Sequence, residues 1–316
     1  MNSAHAQSVF AFTTSQSSPL VLAYGMGVDS TALLVGWQAR GIRPDLILFA
    51  DVGSEKPATY AYLPVIQDWL ARTGFPPVVT VRYQPRDFKN WPPYRTLGQN
   101  CLTNGTLPSL AFGFKSCSLK WKVAPQDAYV HEWGPAQTAW IAGQRVVRAI
   151  GYDAGPADSR RYAHAEGHLD PDFDYLYPLR EWGWNREECA ARIREAGLPV
   201  PVKSACFFCP SSKPHELHEL PKDQLRTIVV MESRATPRLR TIQGLWRNGV
   251  KGIRSGQARP GRMTDYIRER QLLPGDEIEA LWRNTPPELI EFQEAYAEQE
   301  HQDALSTFLR LHRLAA

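Results

Sequence analysis

A short apolar run, Pro19-Leu20-Val21-Leu22-Ala23-Tyr24, opens directly into Gly25-Met26-Gly27-Val28-Asp29-Ser30-Thr31, and a helical pattern follows from Asp29 to Arg40, stopped by Gly41. A buried strand that turns through glycines into a helix is the start of an alternating α/β chain. The pattern then repeats. Asp45 to Ala50 reads as a second buried strand ending in Asp51-Val52-Gly53, Thr59 to Thr73 as a helix with Pro64 early in it, and Val78 to Val81 as a third strand. Val146 to Ile150 is further strand material before Gly151. Short continuous apolar strands alternating with helices predict an α/β fold, a parallel twisted sheet with helices on both faces (Rossmann-like), followed by a mainly helical C-terminal part after Cys209.

The rest of the chain is divided by composition. Residues 1–18 are rich in Ser, Thr and Gln and are expected to be a flexible arm; they lack the basic start and apolar stretch of a secretory signal. Residues 19–211 are expected to form the α/β domain and 212–316 a helical region. No apolar run approaches the roughly 20 residues a spanning helix needs, so no membrane role and a cytoplasmic location are expected. Gln84 to Phe114, rich in Pro and Gly, reads as a long loop or lid. Ala139 to Ala142 looks like strand, Asp153 to Asp174 like a polar mobile loop, and Asn185 to Ala196 like an amphipathic helix closed by Gly197. The formal charge of +3 is uneven: Arg226 to Arg270 holds 11 Lys/Arg against 3 Asp/Glu. Such a stretch suits either a polyanion such as nucleic acid or a solvated helical surface.

The first turn has the chemistry of an anion site. Glycines allow close backbone approach, the following helix offers unpaired N–H groups and the positive end of its dipole, and Ser30 and Thr31 add hydroxyls. It is not a Walker loop, because no Gly-Lys-Ser/Thr follows, and its glycine spacing is not that of a dinucleotide fingerprint. An ordinary tight strand-to-helix turn is the other reading.

Gly25-Met26-Gly27-Val28-Asp29-Ser30 resembles the PP-loop, Ser-Gly-Gly-x-Asp-Ser, of the adenine-nucleotide alpha hydrolase (ATP pyrophosphatase) superfamily, with Gly25 in place of the Ser and Met26 in place of the first Gly. Four further segments resemble the phosphoadenosine phosphosulfate (PAPS) reductase-like branch, which includes the ATP pyrophosphatases of DNA phosphorothioation systems. These are Asp51-Val52-Gly53-Ser54-Glu55-Lys56-Pro57, Lys115-Ser116-Cys117 through Lys122-Val123-Ala124-Pro125, Ile150-Gly151-Tyr152-Asp153 with Ser159-Arg160-Arg161, and Tyr177-Pro178-Leu179 with Trp182 and Cys206-x-x-Cys209-Pro210.

The resemblance implies ATP at the C-terminal ends of the strands. Tyr24, Gly25, Met26, Gly27, Asp29, Ser30 and Thr31 would hold the β,γ-phosphates. Ala50, Asp51 and Val52 would border adenine and ribose, and Gly151 would let the backbone pass close to the nucleotide. Asp29 and Ser30 would serve catalysis, with Lys120, Arg160 and Arg161 neutralising phosphate charge and Asp29 or Asp51 helping to hold Mg²⁺.

Five cysteines are too few for a disulfide scaffold. Cys206 and Cys209 form a C-x-x-C that can chelate a metal, and Cys101 and Cys117 are candidates for completing a four-thiolate set. Zinc and a 4Fe–4S cluster both suit such a set; the resemblance favours the cluster. Cys189 is expected to be a buried thiol without chemistry. No cysteine follows Cys209, which weighs against true sulfonucleotide reduction, since the reductases of the branch carry a nucleophilic cysteine near the C-terminus.

The function so implied is an ATP pyrophosphatase that adenylates a substrate oxygen for sulfur incorporation into nucleic acid, either DNA phosphorothioation or tRNA thiolation, with a cysteine desulfurase as sulfur donor. A sulfonucleotide reductase and a non-catalytic nucleotide- or nucleic-acid-binding module with structural zinc are the alternatives.

Overall fold

The computed structural model describes residues 18–84, 94–108, 116–250 and 258–285. Five strands form one sheet: β1 (Leu20–Ala23), β2 (Leu46–Ala50), β3 (Val78–Val81), β4 (Val146–Ile150) and β5 (Phe173–Leu176), in the order β3-β2-β1-β4-β5. Every pairing is parallel, with Leu22 opposite Ile47 on one side and Ala149 on the other. The alternating α/β pattern is therefore realised as expected.

Both faces of the sheet are covered, and alternation along the strands decides which residue meets which layer. Leu22, Ile47 and Phe49 join a core with α1 (Val28–Ala39), α2 (Pro57–Thr73) and, further along the chain, the helix at Arg186–Glu195. Their neighbours Val21, Leu46, Leu48 and Ala50 face the other way, toward Val130 and Ala136. A third core gathers α3 (Leu97–Asn104), the Cys206–Phe208 segment and the C-terminal helices.

Between β3 and β4 lie α4 (Ser116–Ser118), a π-helical turn (Leu119–Val123), α5 (Ala124–Glu132) and α6 (Gly134–Ile141). After β4 come α7 (Pro156–Ala165), α8 (Pro178–Glu181) and α9 (Arg186–Glu195), then α10 (Lys222–Ala235), α11 (Met263–Glu269) and α12 (Gly275–Asn284).

Three local expectations are corrected. Ala139 to Ala142 is the end of α6, not a strand; Pro135 starts that helix, and a short apolar run does not by itself tell strand from helix. The Gln84–Phe114 stretch contains α3, which is set by a capping box between Thr96 and Gln99; the expected lid otherwise falls largely on residues 85–93 and 109–114, outside the described residues, as do residues 1–17 of the expected arm. The polar stretch Asp153 to Asp174 is not a loop throughout. Pro156 opens α7, and Phe173 begins the edge strand β5. Polar composition hid both, because α7 buries little besides Asp158 and an edge strand needs only one apolar face.

Candidate functional site

In this strand order the chain departs in opposite directions from β1 and β4, so a crevice opens beyond their C-terminal ends, the usual ligand position in open α/β sheets. The Gly25–Thr31 turn and Gly151 meet there. A Cβ placed on Gly151 would stand 2.9 Å from the Ser30 backbone nitrogen and 3.1 Å from the Asp29 carbonyl carbon, so only glycine fits.

The turn is held from within. Tyr24, fully buried, pairs its hydroxyl with Thr31 Oγ1 at 3.1 Å, and burial raises its pKa. The Ser30 hydroxyl accepts from Gly25 N and donates to Gly27 O, each at 3.3 Å. Met26 adopts a left-handed φ of 56° while its side chain is buried in the core, which explains why glycine suits this position in the PP-loop pattern. Gly27 caps α1 with no side-chain hydrogen bond, so among the described residues the first N–H groups of α1 have no capping side chain.

Asp29 is gripped by Arg186, whose Nη1 donates to both carboxylate oxygens at 2.8 Å. Its carboxylate oxygens approach those of Asp153 and Asp158 within 4.8 Å. Burial raises the Asp29 pKa, Arg186 opposes this, and the two neighbouring carboxylates add to the rise. Three carboxylates fit a hard divalent cation such as Mg²⁺.

Asp51, in contrast, is occupied: it accepts from Arg82 Nη2 (2.6 Å) and Nε (3.0 Å), from Tyr60 (2.7 Å) and from Gly53 N (2.7 Å). A cavity of about 590 Å³ opens beside it, lined by Asp51, Gly53, Tyr60, Arg82, Arg95 and Thr96 among others. Ala50 and Val52 are buried at the end of β2.

The three basic candidates have different settings, and among the described residues Arg161 alone is tied by its ion pair to Asp158, a member of the carboxylate cluster of Asp29. Lys120 lies over the rings of Tyr83, Tyr94 and Trp121 at 4.9, 5.1 and 5.7 Å and donates to the Tyr94 hydroxyl at 3.2 Å. Arg161 pairs with Asp158 at 3.0 Å, and Arg160 is exposed on α7.

The four proposed cysteine ligands do gather in one region. All four join the third core, Cys101 and Cys206 as buried members and Cys117 and Cys209 packed against it. Burial raises the pKa of Cys101 and of Cys206, and the charge of Cys117 adds to both shifts. No disulfide joins any of the five. Among the described residues no three of these sulfurs lie within 4.8 Å of one another. A single tetrahedral zinc with bonds of about 2.3 Å needs its sulfurs roughly 3.8 Å apart. Cys189 is buried in α9, as expected, and its burial raises its pKa to about 12.

One segment joins the cysteines to the turn. Ser204 Oγ lies 2.9 Å from a Cβ placed on Gly27. Lys56 N donates to Ala205 O at 3.2 Å, Glu55 and Cys206 form an antiparallel bridge, and Phe207 N donates to Ser54 O at 3.1 Å. The buried Glu55 carboxylate accepts from Lys122 Nζ at 2.8 Å. Lys122 has a raised pKa: burial lowers it, and Glu55, Cys206 and Cys209 outweigh burial.

Part of the basic stretch in the C-terminal region is paired within the protein, while Arg238, Arg240, Arg247, Arg268 and Arg270 are exposed. Arg226 pairs with Glu277, Arg268 with Glu279 at 2.7 Å, and buried Arg234 donates to Leu102 O and, at 3.2 Å, Thr103 O at the end of α3. Residues 251–257 lie outside the described residues.

Sequence reasoning assigned no role to Arg186, Asp158 or Ser204. Arg186 meets Asp29 across 157 positions, and no local spacing could announce it. Asp153, Glu55 and Lys122 stood inside quoted motifs without a function.

No protein-family model matches the chain. Short matches connect it to argininosuccinate synthases. The enzyme of Geobacillus thermodenitrificans (strain NG80-2) is 40% identical over 45 residues, 14% of this chain and 11% of the relative. That of Symbiobacterium thermophilum is 42% identical over 45 residues, with the same shares. That of Gloeobacter violaceus is 46% identical over 46 residues, 15% of this chain and 12% of the relative. The match thus spans about a tenth of these relatives' length. Argininosuccinate synthase is a PP-loop family member, and the short similarity hints at the PP-loop superfamily. No helix among the described residues is long and apolar enough to cross a membrane.

Proposed function

We propose that this protein is an ATP pyrophosphatase of the PAPS reductase-like branch that activates an oxygen of a nucleic acid for replacement by sulfur. The observation that carries this reading is the single segment Ser204–Cys209: its first residue packs on Gly27 of the phosphate turn, and Cys206 and Cys209 follow within five residues.

In the proposed reaction a substrate oxygen attacks the α-phosphorus of ATP. The bond from that phosphorus to the bridging oxygen breaks, pyrophosphate leaves, and an adenylated substrate remains for a sulfur nucleophile to displace AMP. The N–H groups at the start of α1 hold the leaving pyrophosphate, with the Ser30 hydroxyl bracing the turn through Gly25 N and Gly27 O, and act chiefly by positioning and charge stabilisation. Asp29, flanked by Asp153 and Asp158, would hold Mg²⁺, with Arg186 fixing its carboxylate. Asp51, with both oxygens engaged, orders Arg82 and Tyr60 around the nucleotide's base end. Cys101, Cys117, Cys206 and Cys209 would hold an iron–sulfur cluster, which supplies a redox-active centre beside the sulfur-handling step when bound. A cysteine desulfurase is the sulfur donor that fits this chemistry.

Pyrophosphate release from MgATP, measured alone and with plasmid DNA or bulk tRNA, tests the reading. Release stimulated by one of the two nucleic acids supports it and identifies the acceptor. ADP and phosphate as products would overturn it.

A further inference from the structure

The turn departs from the PP-loop pattern at its first position, where Gly25 stands in place of a hydroxyl-bearing serine. The fold brings a different hydroxyl to the same spot. A Cβ built on Gly25 would have Ser204 Oγ at 3.9 Å and Ser30 Oγ at 4.0 Å as its nearest neighbours. A Cβ on Gly27 would lie 2.9 Å from Ser204 Oγ. Ser204 therefore sits against the turn, within reach of both glycines. Its place is fixed by backbone bonds just beyond it, Lys56 N to Ala205 O and Phe207 N to Ser54 O. Among the described residues its hydroxyl has no hydrogen-bond partner, whereas the Ser30 hydroxyl is already bonded to Gly25 N and Gly27 O.

We propose that Ser204 is a phosphate-binding residue of this turn, donating its hydroxyl to the pyrophosphate end of the nucleotide in place of the side chain missing at Gly25. This rests on the ATP pyrophosphatase reading and deepens it. A half-buried hydroxyl without a partner among the described residues, beside helix N–H groups that the Gly27 cap leaves without a side-chain bond, suits an anionic oxygen, because it can donate to the ligand without breaking a bond to those residues. The arrangement also accounts for Gly27. Any side chain there would push on Ser204 and displace the donor. It further ties the two halves of the site together, because Ser204 stands two residues before Cys206, so phosphate binding bears on the segment that carries the C-x-x-C.

The test is calorimetric titration of inorganic pyrophosphate and of MgATP into the full-length protein, its Ser204→Ala variant, and the Ser204→Ala/Gly25→Ser double variant. Gly25→Ser is sterically open, since the nearest atoms to its Cβ are at ordinary contact distance. Loss of a hydroxyl bond to a charged phosphate weakens binding by about tenfold or more. The expected result is such a loss in Ser204→Ala for both ligands, with unchanged melting temperature, and recovery of most of the affinity in the double variant. Equal pyrophosphate affinity in wild type and Ser204→Ala overturns the role of Ser204 and leaves the parent reading intact. A loss that Gly25→Ser does not repair overturns the replacement of one hydroxyl by the other. A wild type that binds neither ligand removes both the proposal and the reading beneath it.

Discussion

Gly151, at the end of β4, presses its backbone so closely on Ser30 that an added Cβ would stand 2.9 Å from the Ser30 nitrogen. That nitrogen belongs to the first turn of α1, so the contact sets the shape of the N-terminal end of the helix. Gly151→Ala is expected to displace the turn and reduce ATP turnover by at least about tenfold, the scale seen when positioning is disturbed. Steady-state kinetics alongside far-UV circular dichroism check this. Unchanged kcat and KM would show that the turn is not the catalytic seat.

Met26 sets a buried side chain against an unfavourable backbone. Its left-handed φ costs about 1 kcal/mol, and its side chain fills the core. Met26→Gly would relieve the strain and leave a cavity; truncating a buried Met typically costs about 2–5 kcal/mol. A net destabilisation of roughly 2 kcal/mol is the expected balance in urea unfolding. A stabilised variant would show that the strain dominates.

Glu216 ties the Lys56 loop to the segment behind the cysteines. It pairs with buried Lys56 and accepts from Lys203 at 2.8 Å and from Lys213 N at 2.8 Å. Burial pushes its pKa up, but these partners prevail and hold it at about 2 against the ordinary 4.5. A folded pKa below the unfolded one means stability that is fully present above pH 4.5 and is lost as pH falls toward 2. Glu216→Gln would flatten that acid limb and leave the Lys56 ammonium buried without its charge partner, at a cost of about 3 kcal/mol near neutral pH. Denaturant titrations of both proteins across this pH range measure both effects. An acid limb equally steep in the variant contradicts the assignment.

Anaerobically purified protein is expected to carry about four iron atoms per chain with matching sulfide, and to lose them in Cys206→Ser or Cys209→Ser but keep them in Cys189→Ser. Metal analysis and the visible absorption spectrum check this. One zinc per chain that is insensitive to air would replace the cluster reading with the structural-zinc module.

The sheet was legible because its signal is local. Leu46-Ile47-Leu48-Phe49-Ala50 is buried on every residue, and such a run between helical patterns has one common solution. The glycine turn from β1 into α1 was legible for the same reason. Elements whose signal is polar or short were not: α7 shows one buried residue, and Ala139 to Ala142 reads equally as strand or helix end. At the site, the grouping of Cys101 and Cys117 with the C-x-x-C could be suspected from sequence, but the gap of 88 residues is closed only by the fold. The Arg186–Asp29 grip and the approach of Ser204 to Gly27 connect positions more than 150 residues apart and have no periodic or motif signature. Within residues 226–270, the pairs of Arg226 with Glu277 and Arg268 with Glu279 and the burial of Arg234 against α3 link positions on different helices and carry no local signal.

A crystal structure of the protein with Mg²⁺ and an ATP analogue whose α,β-bridging oxygen is replaced by methylene examines the phosphate turn itself. The account predicts the β- and γ-phosphates on the N–H groups of the Gly25–Thr31 turn, with the α-phosphorus exposed to the crevice between β1 and β4. Phosphates bound elsewhere, or an empty turn at saturating analogue, would contradict it.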